Sequence, residues 1–158
     1  MIARPGAALL AALVPGLAAG AGPDSACVAL AAHPDGESFL RIGLPAGTPT
    51  FTVSYVHSVT RTPVVETYRV DGETIVQTEI RFAQHGPGLP TQADAGGTFA
   101  RRDGRFVVTM ARRFPSIVMR VHADQRPQLA AGAVSVDLAE WGNRAVAVRA
   151  ASGPCPAH

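Results

Sequence analysis

Two ionisable side chains stand on strand faces that are otherwise apolar. In Thr50–Ser58, Phe51, Val53 and Tyr55 recur at every second position, and His57 continues the series. In Pro63–Val70 the matching series is Val64, Glu66, Tyr68 and Val70. Residues two apart on a strand share a face. Each run therefore presents one chemically active group on an apolar surface. A hairpin closed at Ser58 and Pro63 sets His57 opposite Val64 and Tyr55 opposite Glu66. His57 and Glu66 are then diagonal neighbours within side-chain reach. Such a pair supports several chemistries. A buried ion pair or hydrogen-bonded pair fixes the loop Val59–Thr62, because buried polar groups need partners and such pairs set register without adding stability. A binding pocket uses His57, Ser58, Arg61, Thr62 and Glu66 to hold a small polar or anionic solute at the end of the sheet. A hydrolase takes Ser58 as nucleophile, His57 as base and Glu66 as orienter. Strand neighbours point to opposite faces, so Ser58 meets His57 only across a bulge. A metal site takes His57, Glu66 and His85, without a diagnostic spacing.

A second constellation runs from Phe82 through His85, Gly86, Pro87, Gly88 and Leu89 to Pro90. Its Gly and Pro residues force a fixed, sharply bent backbone. Glycine also lets a ligand approach main-chain N–H groups closely. No Lys follows and no helix opens after it, so it is not a phosphate loop. The competing reading is a tight strand-to-loop corner. A third feature is basic. Arg101, Arg102 and Arg105 flank Asp103-Gly104, with Arg112-Arg113 nearby. A hairpin tip gathers them into a solvated patch or a surface for an acidic partner or lipid headgroups. Trp141 reads as a core or rim residue.

The elements that must position these groups are short strands. Apolar runs recur at Cys27–Ala32, Phe39–Leu44, Thr50–Ser58, Pro63–Val70, Thr74–Gln84, Gly97–Arg101, Phe106–Ala111, Ser116–Ala123, Val134–Leu138 and Arg144–Ala150. Gly, Pro and Asp separate them. Asp71-Gly72, Asp103-Gly104 and Gly142-Asn143 read as hairpin corners. A three-residue Asp71-Gly72-Glu73 turn keeps Val76, Ile80 and Phe82 on the face of Glu66 and sets Thr78 opposite it. No segment after residue 26 sustains a helical period. The expectation is an all-β, antiparallel sandwich or partly closed barrel of about 8–10 strands. The stretch Gly86–Gly97 reads as one functional or mobile loop.

Composition bounds the function. The 158 residues are 47% hydrophobic and 16% charged, which suits one globular domain and excludes a disordered chain. The basic residues are all Arg, and the net charge of +2 is too small for a general nucleic-acid binder. Residues 1–21 read as a signal peptide: Arg4, an Ala/Leu-rich stretch from Ala7 to about Ala19, then Ala19-Gly20-Ala21 as the cleavage site. Residues 22–158 then form a single β domain with its core at about 27–150. Pro15 and nearby glycines disfavour an uncleaved spanning helix, and Asp24 disfavours lipidation at Cys27. Membrane contact is at most peripheral or through an uncleaved leader. Two cysteines, Cys27 and Cys155, suit a disulfide in an exported protein. It would tie the first strand to the C-terminal tail; the alternative is two free thiols.

The run His57-Ser58-Val59-Thr60-Arg61-Thr62-Pro63-Val64-Val65-Glu66, followed by Gly86-Pro87-Gly88-Leu89-Pro90, resembles the bacterial family known as domain of unknown function 1850. Phe114-Pro115-Ser116-Ile117-Val118-Met119-Arg120-Val121 also fits, and the resemblance covers about residues 27–150. Pro87 stands where that family often carries a small residue. Members of the family tend to be encoded beside tripartite ATP-independent periplasmic transporters of the TAXI type. The resemblance therefore implies an exported accessory protein that binds the solute-binding protein, the permease or the solute. A periplasmic small-ligand module independent of transport is the alternative, with the Ser58/His57/Glu66 hydrolase behind it. The expectation is a non-enzymatic protein without cofactor or metal, whose site comprises His57, Ser58, Arg61, Thr62, Glu66, His85, Gly86, Gly88, Leu89 and Pro90.

Overall fold

The strands divide between two antiparallel sheets. A computed structural model describes residues 26–34 and 36–155, so the expected signal segment lies outside the described residues. The strands are β1 (Cys27–Ala32), β2 (Ser38–Gly43), β3 (Thr50–Val56), β4 (Pro63–Asp71), β5 (Thr74–Phe82), β6 (Thr98–Arg102), β7 (Arg105–Phe114), β8 (Ile117–Arg120), β9 (Gln128–Ala131), β10 (Val134–Asp137) and β11 (Ala145–Ala151). One sheet has the order β2-β1-β11-β8, the other β10-β9-β3-β4-β5-β7-β6. They pack as an open sandwich, not a closed barrel. Short 3-10 turns, Ala123–Gln125 and Leu138–Trp141, carry the chain between them.

The alternating apolar residues explain the layers. Val28, Leu30, Ile42, Val146 and Val148 of the smaller sheet meet Phe51, Val53, Tyr68, Val70 and Leu129 of the larger one in a single buried cluster. Removing such side chains from water is the main favourable term, roughly 1.5–3 kcal/mol for each large one. Trp141 is half-buried at the rim, its ring 5.0 Å from that of Phe39. A further group, Val64, Ile80, Phe82, Leu89, Val108 and Met110, forms a distinct cluster on the larger sheet.

The turns depart from expectation in instructive ways. Asp103-Gly104 is a two-residue hairpin turn with positive φ at both positions, 50° and 75°, which joins Arg102 to Arg105. The β4–β5 turn is also two residues long. It has Gly72 at φ 61°, and Asp71 pairs with Thr74, so the expected three-residue turn does not form. Left uncorrected, this register would turn Ile80 and Phe82 outward. A bulge between Gln77 and Glu79 corrects it, with Thr78 as the extra residue and its hydroxyl donating to the Thr67 carbonyl at 3.2 Å. Beyond it Glu66 pairs with Ile80 and Val64 with Phe82. Thr78 is therefore not opposite Glu66, and Val76 pairs with Arg69 on the other face. Gly142-Asn143 is no hairpin corner. It ends the Leu138–Trp141 turn and returns the chain to the smaller sheet.

The chain ends are joined. Cys27 and Cys155 form a disulfide with Cα atoms 5.9 Å apart and a sequence separation of 128. Beside it Arg41 donates to the Ser152 carbonyl at 2.7 Å. Closing a loop of this length restricts the unfolded chain by about 4–5 kcal/mol on the chain-entropy model. Replacing both cysteines with Ser lowers the urea-unfolding free energy by about that amount, and an unchanged value would remove the disulfide from the stability account.

Candidate functional site

Glu66 lies mid-way along β4, at the boundary between the two apolar clusters. Tyr68 and Val70 on one side belong to the main core, and Val64 on the other belongs to the second cluster. The β3–β4 register pairs Val53 with Glu66 and Tyr55 with Val64. This is two residues from the expected pairing, because the hairpin loop is longer. A two-residue slip preserves the face, so Tyr55 still shares it with Glu66 as a diagonal neighbour. Its hydroxyl donates to Glu66 Oε1 at 3.1 Å. The Tyr68 hydroxyl donates to Oε2. The Tyr68 ring is fixed by stacking on Phe51 at 5.2 Å. Among the described residues no cation forms an ion pair with Glu66.

Glu66 opens onto a cleft between the sheets. Its lining also includes Val53, Tyr55, Ile117, Val118, Met119, Arg120, Gln125 and Pro127, and its volume is ≈ 230 Å³. β8, the edge strand of the smaller sheet, lines the cleft opposite β3 and β4 of the larger sheet. Ile117 and Met119, which face the core, supply apolar wall, while Val118 and Arg120 alternate with them and are exposed. Burial pushes both phenols well above the ordinary tyrosine value near 10, and the Glu66 charge and hydrogen bonds push them further.

His57 is not part of this cleft. It follows β3 in the loop to β4, where its N–H donates to the Thr62 carbonyl and its carbonyl accepts from Arg61 N–H, both at 2.9 Å. The residue is 6% exposed. Nδ1 accepts from the Val59 and Thr60 N–H groups, each at 3.2 Å. Nε2 therefore carries the proton and donates it to the Pro87 carbonyl at 3.1 Å. The expected His57–Glu66 pair does not form. Ser58 is exposed and forms no hydrogen bond to His57 among the described residues, so the Ser58/His57/Glu66 arrangement is not assembled. Arg61 takes φ 55° and meets Asp124 at 3.4 Å on the surface. Thr62 exchanges a hydroxyl contact with Thr60 at 2.9 Å.

The Gly86–Pro90 stretch is the other half of the His57 tie. Leu89 N–H donates to the Gly86 carbonyl at 3.1 Å, with Pro87 and Gly88 (φ 84°) between them. This is a turn with Pro first and Gly second, as a type II turn requires. Pro87 thereby presents its carbonyl to His57, and Leu89 packs into the second cluster. A Cβ on Gly86 would stand 2.8 Å from His57 Cε1 and 2.9 Å from Thr60 Cγ2. The far end of the loop is held by Asp94, which accepts from Arg112 at 2.6 and 2.8 Å. His85 lies elsewhere, on the ring of Phe106 at 4.3 Å and near Phe99. No three His, Cys, Asp or Glu side chains group for a metal among the described residues, so His57, Glu66 and His85 do not form one site. The arginines divide too: Arg112 and Arg113 are paired with Asp94 and Asp71, and Arg101 lies over the Phe106 ring. Arg102 and Arg105 line a shallow groove with Arg81.

A family model described as "Domain of unknown function (DUF1850)" matches residues 51–138. The chain belongs to this family. The DUF1850 match runs from β3 through β10, and so contains Glu66, both tyrosines, His57, the Gly86–Pro90 turn and β8. The disulfide lies outside it. No curated protein and no solved structure matches the chain.

No sequence pattern marks Arg120, Gln125, Pro127 or the tyrosine hydroxyls as residues of the cleft. Tyr68 was legible as the next residue on the face of Glu66. Both tyrosines of the protein are in the site, so absorbance reports on it directly. No tyrosinate forms in the native protein near pH 10, where the unfolded chain ionises. Folded-state phenol values are raised, so the native state retains protons that the unfolded state releases. Their stability contribution is complete below pH 10 and declines as pH rises above it. Glu66→Gln removes the charge and brings both titrations toward the ordinary value; unmoved titrations would break the link to Glu66. Separately, Gly86→Ala forces the His57 ring aside and lowers stability by about 1–3 kcal/mol in denaturant melts.

Proposed function

We propose that this protein is an exported, non-enzymatic binding module whose working surface is the Glu66 cleft. We further propose that it serves a TAXI-type tripartite transporter by binding the solute or a transporter component. The carrying observation is a carboxylate held by two tyrosine hydroxyls, with no cation partner among the described residues, facing an open cleft. A charge placed in partly apolar surroundings costs free energy unless it is compensated. A group kept there in spite of that cost suits recognition better than packing. Concave, mainly apolar surfaces with a few fixed polar groups are the usual form of ligand sites. The disulfide is consistent with an oxidising, exported setting. The transporter setting follows from the family resemblance alone. Hydrolase chemistry gains no support, because both ring nitrogens of His57 are engaged by main-chain groups.

The test is a pull-down with the mature chain against a TAXI-type solute-binding protein and permease from the same genome. Wild type retains one of them. Glu66→Gln reduces retention at least about tenfold, the scale of a lost charged hydrogen bond. His57→Gln, remote from the cleft, leaves retention intact. Retention of neither component by wild type would overturn the transporter role. Equal retention by Glu66→Gln would remove the cleft from it.

A further inference from the structure

The one inward charge of the cleft specifies a ligand class. We infer that the Glu66 cleft binds a small primary amine in its ammonium form, with the carboxylate as counter-ion and the apolar wall around its carbon skeleton. This rests on the cleft being the binding surface. Of the two charged residues in the lining, only Glu66 faces inward: it pairs with buried Val53, whereas Arg120 alternates with inward Met119 and is exposed. Glu66 forms no ion pair among the described residues. Each tyrosine hydroxyl occupies one acceptor position on one Glu66 oxygen, and a carboxylate offers about four such positions. Both oxygens therefore keep room for a further donor. The phenols hold their protons, so they add donors and no charge. An ammonium group brings three donors and the missing positive charge. Val53, Ile117, Met119 and Pro127 leave apolar surface for a short hydrocarbon chain.

Size and sign narrow the class further. A volume of ≈ 230 Å³ is below the roughly 300–1,000 Å³ of drug-sized pockets, so the occupant is small. An anionic solute meets repulsion from Glu66. A neutral alcohol or amide supplies donors but leaves the carboxylate charge uncompensated. A bare divalent ion needs several hard oxygen ligands, and the lining holds one carboxylate and no other Asp, Glu, His or Cys. An alkyl ammonium satisfies the charge, the open acceptor positions and the wall together.

The probes are 3-methylbutylamine, 3-methylbutanol and 3-methylbutanoate, the cation, the neutral form and the anion of one skeleton. Binding to the wild-type protein is read at pH 7 from NMR shifts of the Val53, Ile117 and Met119 methyl groups. The amine binds at least about tenfold tighter than the alcohol, and the carboxylate binds more weakly than either. Glu66→Gln abolishes the preference of amine over alcohol, while Arg120→Gln, on the outer face, leaves it intact. Equal binding of the three probes, or tighter binding of the alcohol or the carboxylate, would overturn the amine and leave the binding cleft standing. No shift from the amine at about 10 mM would also overturn it. Retention of a transporter component in the pull-down is read independently and concerns the binding-module reading alone.

Discussion

A carboxylate on the inward face of the central strand β4 imposes the condition around which this sandwich is arranged. Glu66 occupies a position that alternation reserves for an apolar residue. It is tolerated because Tyr55 and Tyr68 place a hydroxyl on each oxygen and because one side remains open to water. The requirement runs in both directions. The tyrosines keep their protons chiefly because they are buried and further because the carboxylate is there, and the Tyr68 ring stacks on Phe51. The result is a fixed anionic point on a rigid sheet. Such preorganisation is what a recognition site needs.

The remaining architecture protects this arrangement. The Thr78 bulge returns Ile80 and Phe82 to the inner face and so builds the second cluster beside Glu66. Leu89 packs into that cluster, and the His57–Pro87 hydrogen bond holds the turn that delivers it. His57 thus belongs to the frame of the site rather than to its chemistry. The smaller sheet ends at β8, whose inward Ile117 and Met119 form the opposite wall. An unequal sandwich of this kind produces a cleft without a dedicated lid.

Much of this was legible in the chain. Alternation in Phe51-Val53-Tyr55 and Val64-Glu66-Tyr68 assigned the inner face correctly, because a two-residue error in register leaves faces unchanged. It could not assign the partner of Glu66. The loop length between β3 and β4 is set by the Arg61 backbone and the His57 main-chain bonds, neither of which has a periodic signature. The need for a parity change on β5 is readable from Ile80 and Phe82, although Val76, before the bulge, lies on the other face. The location of the change is not, since bulge and longer turn satisfy most of the same pattern. β9 escaped notice because Gln128-Leu129-Ala130-Ala131 lacks β-branched residues and owes its pairing to β3 and β10. Ile117 and Met119 join the site only through contact between sheets, which no local pattern encodes.

The central claim is that Glu66 is retained for recognition rather than for stability. The direct measurement is the urea-unfolding free energy of a variant carrying Glu66→Leu, Tyr55→Phe and Tyr68→Phe together. Replacing a buried charged network by apolar residues of similar volume is often neutral, or stabilising by roughly 1–4 kcal/mol. The account predicts a variant at least as stable as wild type that has lost its ligand. A variant destabilised by more than about 2 kcal/mol would contradict it and make the Glu66 network a structural tie.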